Sequence, residues 1–341
     1  MRFVLFTIGL GAGLSLFACA RDPEHTSPGG CGAGQESCGS TCVPVGTCQP
    51  ASTGGAAGSA GSSAGGSAGN SSTAAGGTTA TVTATSAPIP PPSPNCTDVS
   101  SSYNFLNTSG GTTYIPVDGS TKQYVAQANW WHVPNQQQTV TVNGLSFTVG
   151  NPAGASSPDN DPMGFPSIFI GAYAGKTTKG SNLPKQVSAL TNVYTVVSTN
   201  ASSKGYTNYN VAYDVWLTAT GTPLPSTQYD PGTGGAFLMV WLFKPTNRQP
   251  RGSNLHPGQS VSGLPGTWDV WIDPTNPPCI SYVSTTPLEK LDYDLNNFIR
   301  DAVNKSYGIT NSMYLSIIFA GFEIWGGGDG LQEKAFCANV L

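Results

Sequence analysis

Charge is what this chain has least of. Only 14 Lys and Arg and 18 Asp and Glu occur in 341 residues, 9% in all, against the roughly 25% usual for globular chains. The balance is slightly acidic, with a net charge of −4 and a pI near 5.2. No basic stripe exists to neutralise phosphates, which excludes a nucleic-acid partner. Three histidines (His25, His132, His256) are too scattered to build a metal cluster, and no cofactor is expected. The eight cysteines contain no CxxC pair, which argues against a zinc site. No apolar run reaches the length of a membrane-spanning helix. Glycine (43) and proline (27) are instead abundant, the composition of an exported, turn-rich β protein whose surface suits a neutral polymer.

The first nineteen residues hold one Arg and then an apolar stretch, the layout of an export signal. Their end, Leu16-Phe17-Ala18-Cys19, resembles a bacterial lipobox, so Cys19 is expected to carry lipid. The expected destination is therefore secreted or on the cell surface, with membrane contact only through an N-terminal lipid anchor. Residues 20–50 form a short module with Cys31, Cys38, Cys42 and Cys48, read as two disulfides of open connectivity. Residues 51–95 are nearly all Ala, Gly, Ser and Thr, closing in APIPPPSPN. Such a segment buries nothing and reads as a flexible tether with a stiffer end.

From Cys96 to Leu341 the texture changes to short apolar runs broken by Gly, Asn and Pro. TKQYVAQANWWHV, QQTVTVNGLSFTVG, FPSIFIGAY, YNVAYDVWLTAT, GGAFLMVWLFKP, TWDVWID, CISYVSTT and YLSIIFAGFEIW read as strands. Only LEKLDYDLNNFIRDAVNKSYG reads as a helix, with Leu291, Leu295, Phe298, Ile299, Ala302 and Val303 on one face and Gly308 as its stop. Many strands with one helix predict an all-β jelly-roll sandwich of two antiparallel sheets, the helix packed on the convex sheet. One disulfide within the domain is expected, Cys96 with Cys337, because both flank its ends. A monomer is expected.

Alternation assigns the chemistry-bearing residues to faces. Phe237, Met239 and Trp241 point one way on one strand, Asp214 and Trp216 share a face on another, and Gly321, Glu323 and Trp325 do so on a third. A carboxylate such as Glu323 inside an apolar run is a costly placement that asks for a chemical reason. Indoles beside acids suit a polysaccharide cleft. All seven tryptophans lie in this region, although a tryptophan on a sheet is commonly plain core.

Residues from about 96 onward resemble glycoside hydrolase family 12, the endo-β-1,4-glucanases and xyloglucanases. YVAQANWWHV is similar to the family's YxxQNNxW segment, with Asn129 and Trp131 on its functional positions and Ala128 replacing one Asn. FPSIFIG, LPKQVSAL, NVAYDVWLTA, the DLNNF segment and AGFEIWGGGDGL follow in the family's order. The resemblance implies a concave jelly-roll cleft, Glu323 as general acid/base, and Asp214 as the accessory Asp that hydrogen-bonds the nucleophile. It implies a β-glucan partner: cellulose, xyloglucan or mixed-linkage glucan. The family's nucleophile is the Glu of an E-[IL]-M-[IV]-W-L strand, where this chain reads F-L-M-V-W-L and places Phe237. Met239 and Trp241 keep their positions.

Three readings follow. In the first, Asp214 takes the second catalytic role beside Glu323 and inverts the anomer, which requires carboxyls more than about 6.5 Å apart. In the second, catalysis is lost and the cleft binds glucan, with Phe237 as a further stacking platform. In the third, a loop acid, Asp230 or Asp329, swings in as base, against the plainer role of a turn Asp bonding its own backbone. Asp159 and Asp161 in DNDP are weighed as a calcium site and read as a polar turn.

Overall fold

The computed structural model describes residues 20–21, 35–38, 41–44, 102–106, 112–117, 122–130, 138–150, 162–173, 175–205 and 208–341. The chain divides into two compact units, Met1–His25 with Pro91–Leu341, and Thr26–Pro90. In the second, β2 (Gln35–Cys38) and β3 (Thr41–Pro44) form an antiparallel hairpin with Ser37 opposite Cys42. The expectations for Cys19, Cys31, Cys48, the 51–95 tether, Cys96 and the DNDP aspartates fall on residues outside those described.

The larger unit is built on two sheets. One runs in the order β16 (Ser253–Gln259), β17 (Trp268–Asp273), β18 (Cys279–Ser284), β14 (Ala236–Phe243), β13 (Val211–Thr218), β20 (Tyr314–Gly321), β9 (Ser167–Tyr173), β6 (Lys122–Gln127) and β5 (Thr112–Val117). Short strands β10 (Lys176–Thr177) and β11 (Lys185–Gln186) join β9 and β20. The other sheet runs β19 (Lys290–Asp294), β12 (Val193–Thr199), β21 (Gln332–Val340), β8 (Ser146–Gly150), β7 (Thr139–Asn143) and β4 (Ser102–Leu106). Among the described residues every strand pairing is antiparallel except β14 with β18, which is parallel. A two-residue pairing joins β1 (Ala20–Arg21) to β15 (Gln249–Pro250).

Period-two alternation divides the large sheet's side chains between two apolar clusters. Val211, Tyr213, Val215 and Leu217 of β13, with Leu238, Val240 and Leu242 of β14, enter the core between the sheets. Ala212 and Trp216, with Phe237, Met239 and Trp241, enter a second cluster on the other face. Burial on both faces explains why Ala236–Phe243 is apolar throughout and not alternating with polar residues. Close approach of β9 to β20 needs Gly171, whose φ is 115° and where a Cβ would meet the Ser316 carbonyl oxygen at 2.2 Å.

The expected helix is shorter than its sequence pattern. Residues 290–294 form β19, and α1 covers only Asn296–Asn304. Leu291 satisfies a helical face and a strand equally well, and pairing with β12, where Leu291 lies opposite Val197, decides for the strand. The apolar face itself holds: Leu291, Leu295, Phe298, Ile299 and Ala302 are all buried. Phe298 packs at 4.8 Å on Trp268 and 5.0 Å on Tyr282, so α1 lies against the core-facing side of the large sheet. Cys337 is disulfide-bonded, as is Cys279, which the expected pairing left out.

Candidate active site

Glu323 follows β20 and continues its alternation. Phe322 and Ile324 enter the core between the sheets, and Trp325 enters the second cluster. Glu323 therefore stands on the face shared by Asp214 and Phe237. It is 1% exposed, so its polar groups need partners. Asn210, beside the start of β13, supplies them: its Oδ1 accepts from the Glu323 backbone N–H at 3.0 Å, and its Nδ2 donates to Glu323 Oε2. The Asn210 N–H in turn donates to the Glu323 carbonyl at 3.0 Å. One asparagine thus fixes both the backbone and the carboxyl of the acid.

Asp214 lies on β13 opposite Met239 of β14 and Phe319 of β20. Its Oδ2 accepts from Trp216 Nε1 at 2.9 Å. Its Oδ1 is buried and has no partner among the described residues. Burial pushes the carboxyl up to about 7, against the opposing pull of the Trp216 bond. Tyr173 is raised as well, first by its own burial and next by the Asp214 charge, which places its hydroxyl near that carboxyl.

Phe237 lies opposite Trp216, and the two rings meet edge-on at 5.5 Å. Trp216 also contacts Phe319 at 5.5 Å and Tyr173 at 5.3 Å. Trp241 and Trp325, borne on either side of β13, approach to 6.3 Å. That is closer than the roughly 9.5 Å separating next-but-one strands in a flat sheet, so side chains on this face converge. The Arg248 guanidinium lies 5.6 Å over the Trp325 ring. Phe237 is 1% exposed, and the face is closed in this structure.

A converging aromatic face holding one anchored glutamate and one half-paired aspartate suits acid–base work on a polymer of sugar rings. Residues 122–341 match the model of glycosyl hydrolase family 12. The chain belongs to glycosyl hydrolase family 12. It is 30% identical over 162 residues to the probable cellulase Cel12b of Mycobacterium tuberculosis, covering 47% of this chain and 99% of that one. It is 25% identical over 218 residues to endoglucanase S of Pectobacterium parmentieri, covering 61% and 78%. Among solved structures, the endo-1,4-beta-glucanase CelB2 aligns with a TM-score of 0.60 at 26% identity, covering 70% of this chain and all of that one. Endoglucanase Cel12A from Rhodothermus marinus aligns at 0.55 and 29%, covering 70% and 99%.

Within this family fold, Glu323, Asp214, Phe237, Met239 and Trp241 occupy one face. Asn129 sits just past β6 with φ of 46° and accepts at its carbonyl from the Phe165 N–H at 2.9 Å. Trp131 and His132 lie outside the described residues. Trp130 and Trp268 belong to the core between the sheets, so the tryptophans divide between the two apolar clusters. Asp230 has its turn role, its Oδ1 accepting from the Gly232 N–H at 2.8 Å. Reading the sequence missed Asn210 and Arg248. For Asn210 a signal existed: in NVAYD it stands four positions before Asp214, hence on the same strand face.

Proposed function

We propose that the chain is a β-1,4-glucan-acting glycoside hydrolase of the cellulase and xyloglucanase type, with Glu323 as general acid/base and Asp214 as the second carboxylate. The observation that carries this reading is the unpartnered, buried Oδ1 of Asp214. Phe237, which stands where the family's nucleophile belongs, is diagonal to it across β13 and β14. An acid at 237 would lie within reach of that oxygen; a phenyl ring offers it nothing. With a carboxyl pushed up to about 7, Asp214 has the proton affinity suited to a general base near neutral pH.

The proposed step is single and inverting. Asp214 takes a proton from water, the water attacks the anomeric carbon, and Glu323 protonates the departing glycosidic oxygen. Asn129, Trp131, Phe237, Met239 and Trp241 provide the sugar-binding surface. The relatives named as cellulase and endoglucanase support the substrate class. Export, lipid attachment at Cys19 and a monomeric state complete the proposal as a surface enzyme that reaches polymeric glucan.

Proton NMR of the products tests the step: α-anomer should form first, and initial β-anomer refutes inversion by Asp214. Glu323→Gln and Asp214→Asn should each lower kcat by at least about 10²-fold. A second reading, glucan binding without hydrolysis, is favoured by the closed aromatic packing of Phe237 on Trp216. It predicts tight binding with no new reducing ends, and a large gain of activity in Phe237→Glu over an inert parent.

A further inference from the structure

Glu323 and Phe237 are each 1% exposed, and Trp241 and Trp325 are fully buried. No polymer reaches a carboxyl covered to that extent, so the active-site face has to open before a glucan can bind. Two features tie other parts of the chain to this face. The first is β1, in which Ala20 lies opposite Pro250 and Arg21 opposite Gln249. Its partner β15 begins directly after Arg248, whose guanidinium lies 5.6 Å over the Trp325 ring. β15 ends directly before Arg251, which lines a recess with Asp230, Phe237, Asn276 and Pro277. β1 is therefore laid on the rim of the face.

The second feature is Cys279. It is fully buried, lies beside Phe237 in the parallel pairing of β18 with β14, and belongs to the same apolar cluster. It is disulfide-bonded, as is Cys337. The two are not joined to each other. Cys337 stands on β21 of the other sheet, and Cys279 belongs to the face turned away from that sheet. Packed sheets lie about 10 Å apart, whereas a disulfide needs Cα atoms within about 7 Å. The remaining cysteines all precede residue 97. Cys96 is the expected partner of Cys337, which leaves for Cys279 one of the five cysteines ahead of the 51–95 tether.

We propose that the N-terminal segment carrying Ala20–Arg21 is an autoinhibitory strap on the active-site face, and that the Cys279 disulfide is its lock. This rests on the reading of that face as a glucan site and adds its regulation. A pairing of two residues is too short to hold by itself, so the covalent bond decides whether the strap stays. Oxidising surroundings outside the cytoplasm keep the bond made. Release is thiol–disulfide exchange with a dithiol. Its thiolate attacks the disulfide, Cys279 and its partner end as thiols, and the dithiol, oxidised by two electrons, leaves as a cyclic disulfide.

Peptide mapping of the unreduced full chain by mass spectrometry should find Cys279 joined to a cysteine at or before Cys48. A bond from Cys279 to Cys96 or Cys337 overturns the strap. Opening is read in two ways. Acrylamide quenching of tryptophan fluorescence reports exposure of Trp241 and Trp325 with no sugar present, and calorimetric titration with cellotetraose reports access to the site. A face shut in nine molecules of ten weakens apparent binding about tenfold. Dithiothreitol on the wild type, Cys279→Ser, and Ala20→Pro with Arg21→Pro, which removes both N–H donors of β1, should each raise quenching and tighten cellotetraose binding at least about tenfold. Cys337→Ser should change neither, and an equal effect there overturns the lock. Failure of one variant to fold leaves the other and the reduced wild type as the test. Quenching and binding unchanged by all three treatments overturn the strap and leave the glucan-site reading standing. Raised quenching with no cellotetraose binding before or after supports the strap and ends the glucan-site reading.

Discussion

Replacing Asp214 by Asn separates stability from activity in this protein. Burial raises the Asp214 carboxyl from the ordinary 3.8 to about 7. A carboxyl with a raised native pKa favours the folded state most at low pH, and that contribution disappears as pH climbs from about 4 to about 7. About three pKa units at 1.36 kcal/mol each correspond to roughly 4 kcal/mol. Above pH 7 the native state therefore carries an ionised, half-paired carboxylate at that cost. Asn keeps an acceptor for Trp216 Nε1 and removes the charge. The pull of the Trp216 bond is already contained in that figure. The expectation at pH 8 is therefore a variant more stable than wild type by up to about 4 kcal/mol, with activity lowered as the proposed role of Asp214 as base requires. Urea denaturation at intervals from pH 4 to 9 measures it, with the variant losing up to about 1.4 kcal/mol per pH unit of wild-type slope. An unchanged slope would refute the claim that Asp214 is a buried, raised carboxyl. A stabilised variant with full kcat would keep the electrostatics and remove Asp214 from the mechanism.

Glu333 gives a second, independent slope. It is fully buried, both of its oxygens lack partners among the described residues, and burial alone raises its pKa well above the ordinary value. Glu333→Leu should stabilise the protein at neutral pH and flatten its loss of stability as pH rises above about 4.5, read by the same urea titrations; an unchanged slope counts against it. Asn210→Ala removes the two bonds its side chain makes to the Glu323 N–H and Oε2, so kcat should fall at least tenfold and stability by about 2–3 kcal/mol, with glucan KM little changed. Gly321→Ala would set a Cβ 2.1 Å from the Pro166 carbonyl oxygen, forcing β20 off β9. A thermal melt should show a drop of several degrees, together with lost activity because Glu323 follows directly.

Which side chains share a sheet face was legible in the sequence. Alternation in YDVWL and FLMVWL put Asp214 with Trp216, and Phe237 with Met239 and Trp241, and Trp216, Phe237, Met239 and Trp241 do share one apolar cluster. The helix was overread because Leu291 and Leu295 satisfy a helical face while Leu291 and Tyr293 also alternate with Asp292 and Asp294. Local pattern is degenerate there, and five residue pairings with β12 resolve it. The split among tryptophans was hidden for a different reason. Trp268 and Trp271 read alike in TWDVWID, yet the first packs in the core between the sheets and the second against the cluster around Phe237.

Composition alone favoured an all-β architecture, and residue order set which side chains share a face, because a strand's period of two depends only on the chain. Parity cannot say which of two faces meets the second sheet, since a sheet buried on both sides reads apolar throughout. That choice was made by the second sheet, which covers one face and leaves the other to converge. Tertiary structure also stranded one oxygen of Asp214 and brought Asp230, Arg251 and Asn276 around Phe237. Those residues lie on separate turns, and only the pairing of β14 with β18 and of β16 with β17 draws the turns together.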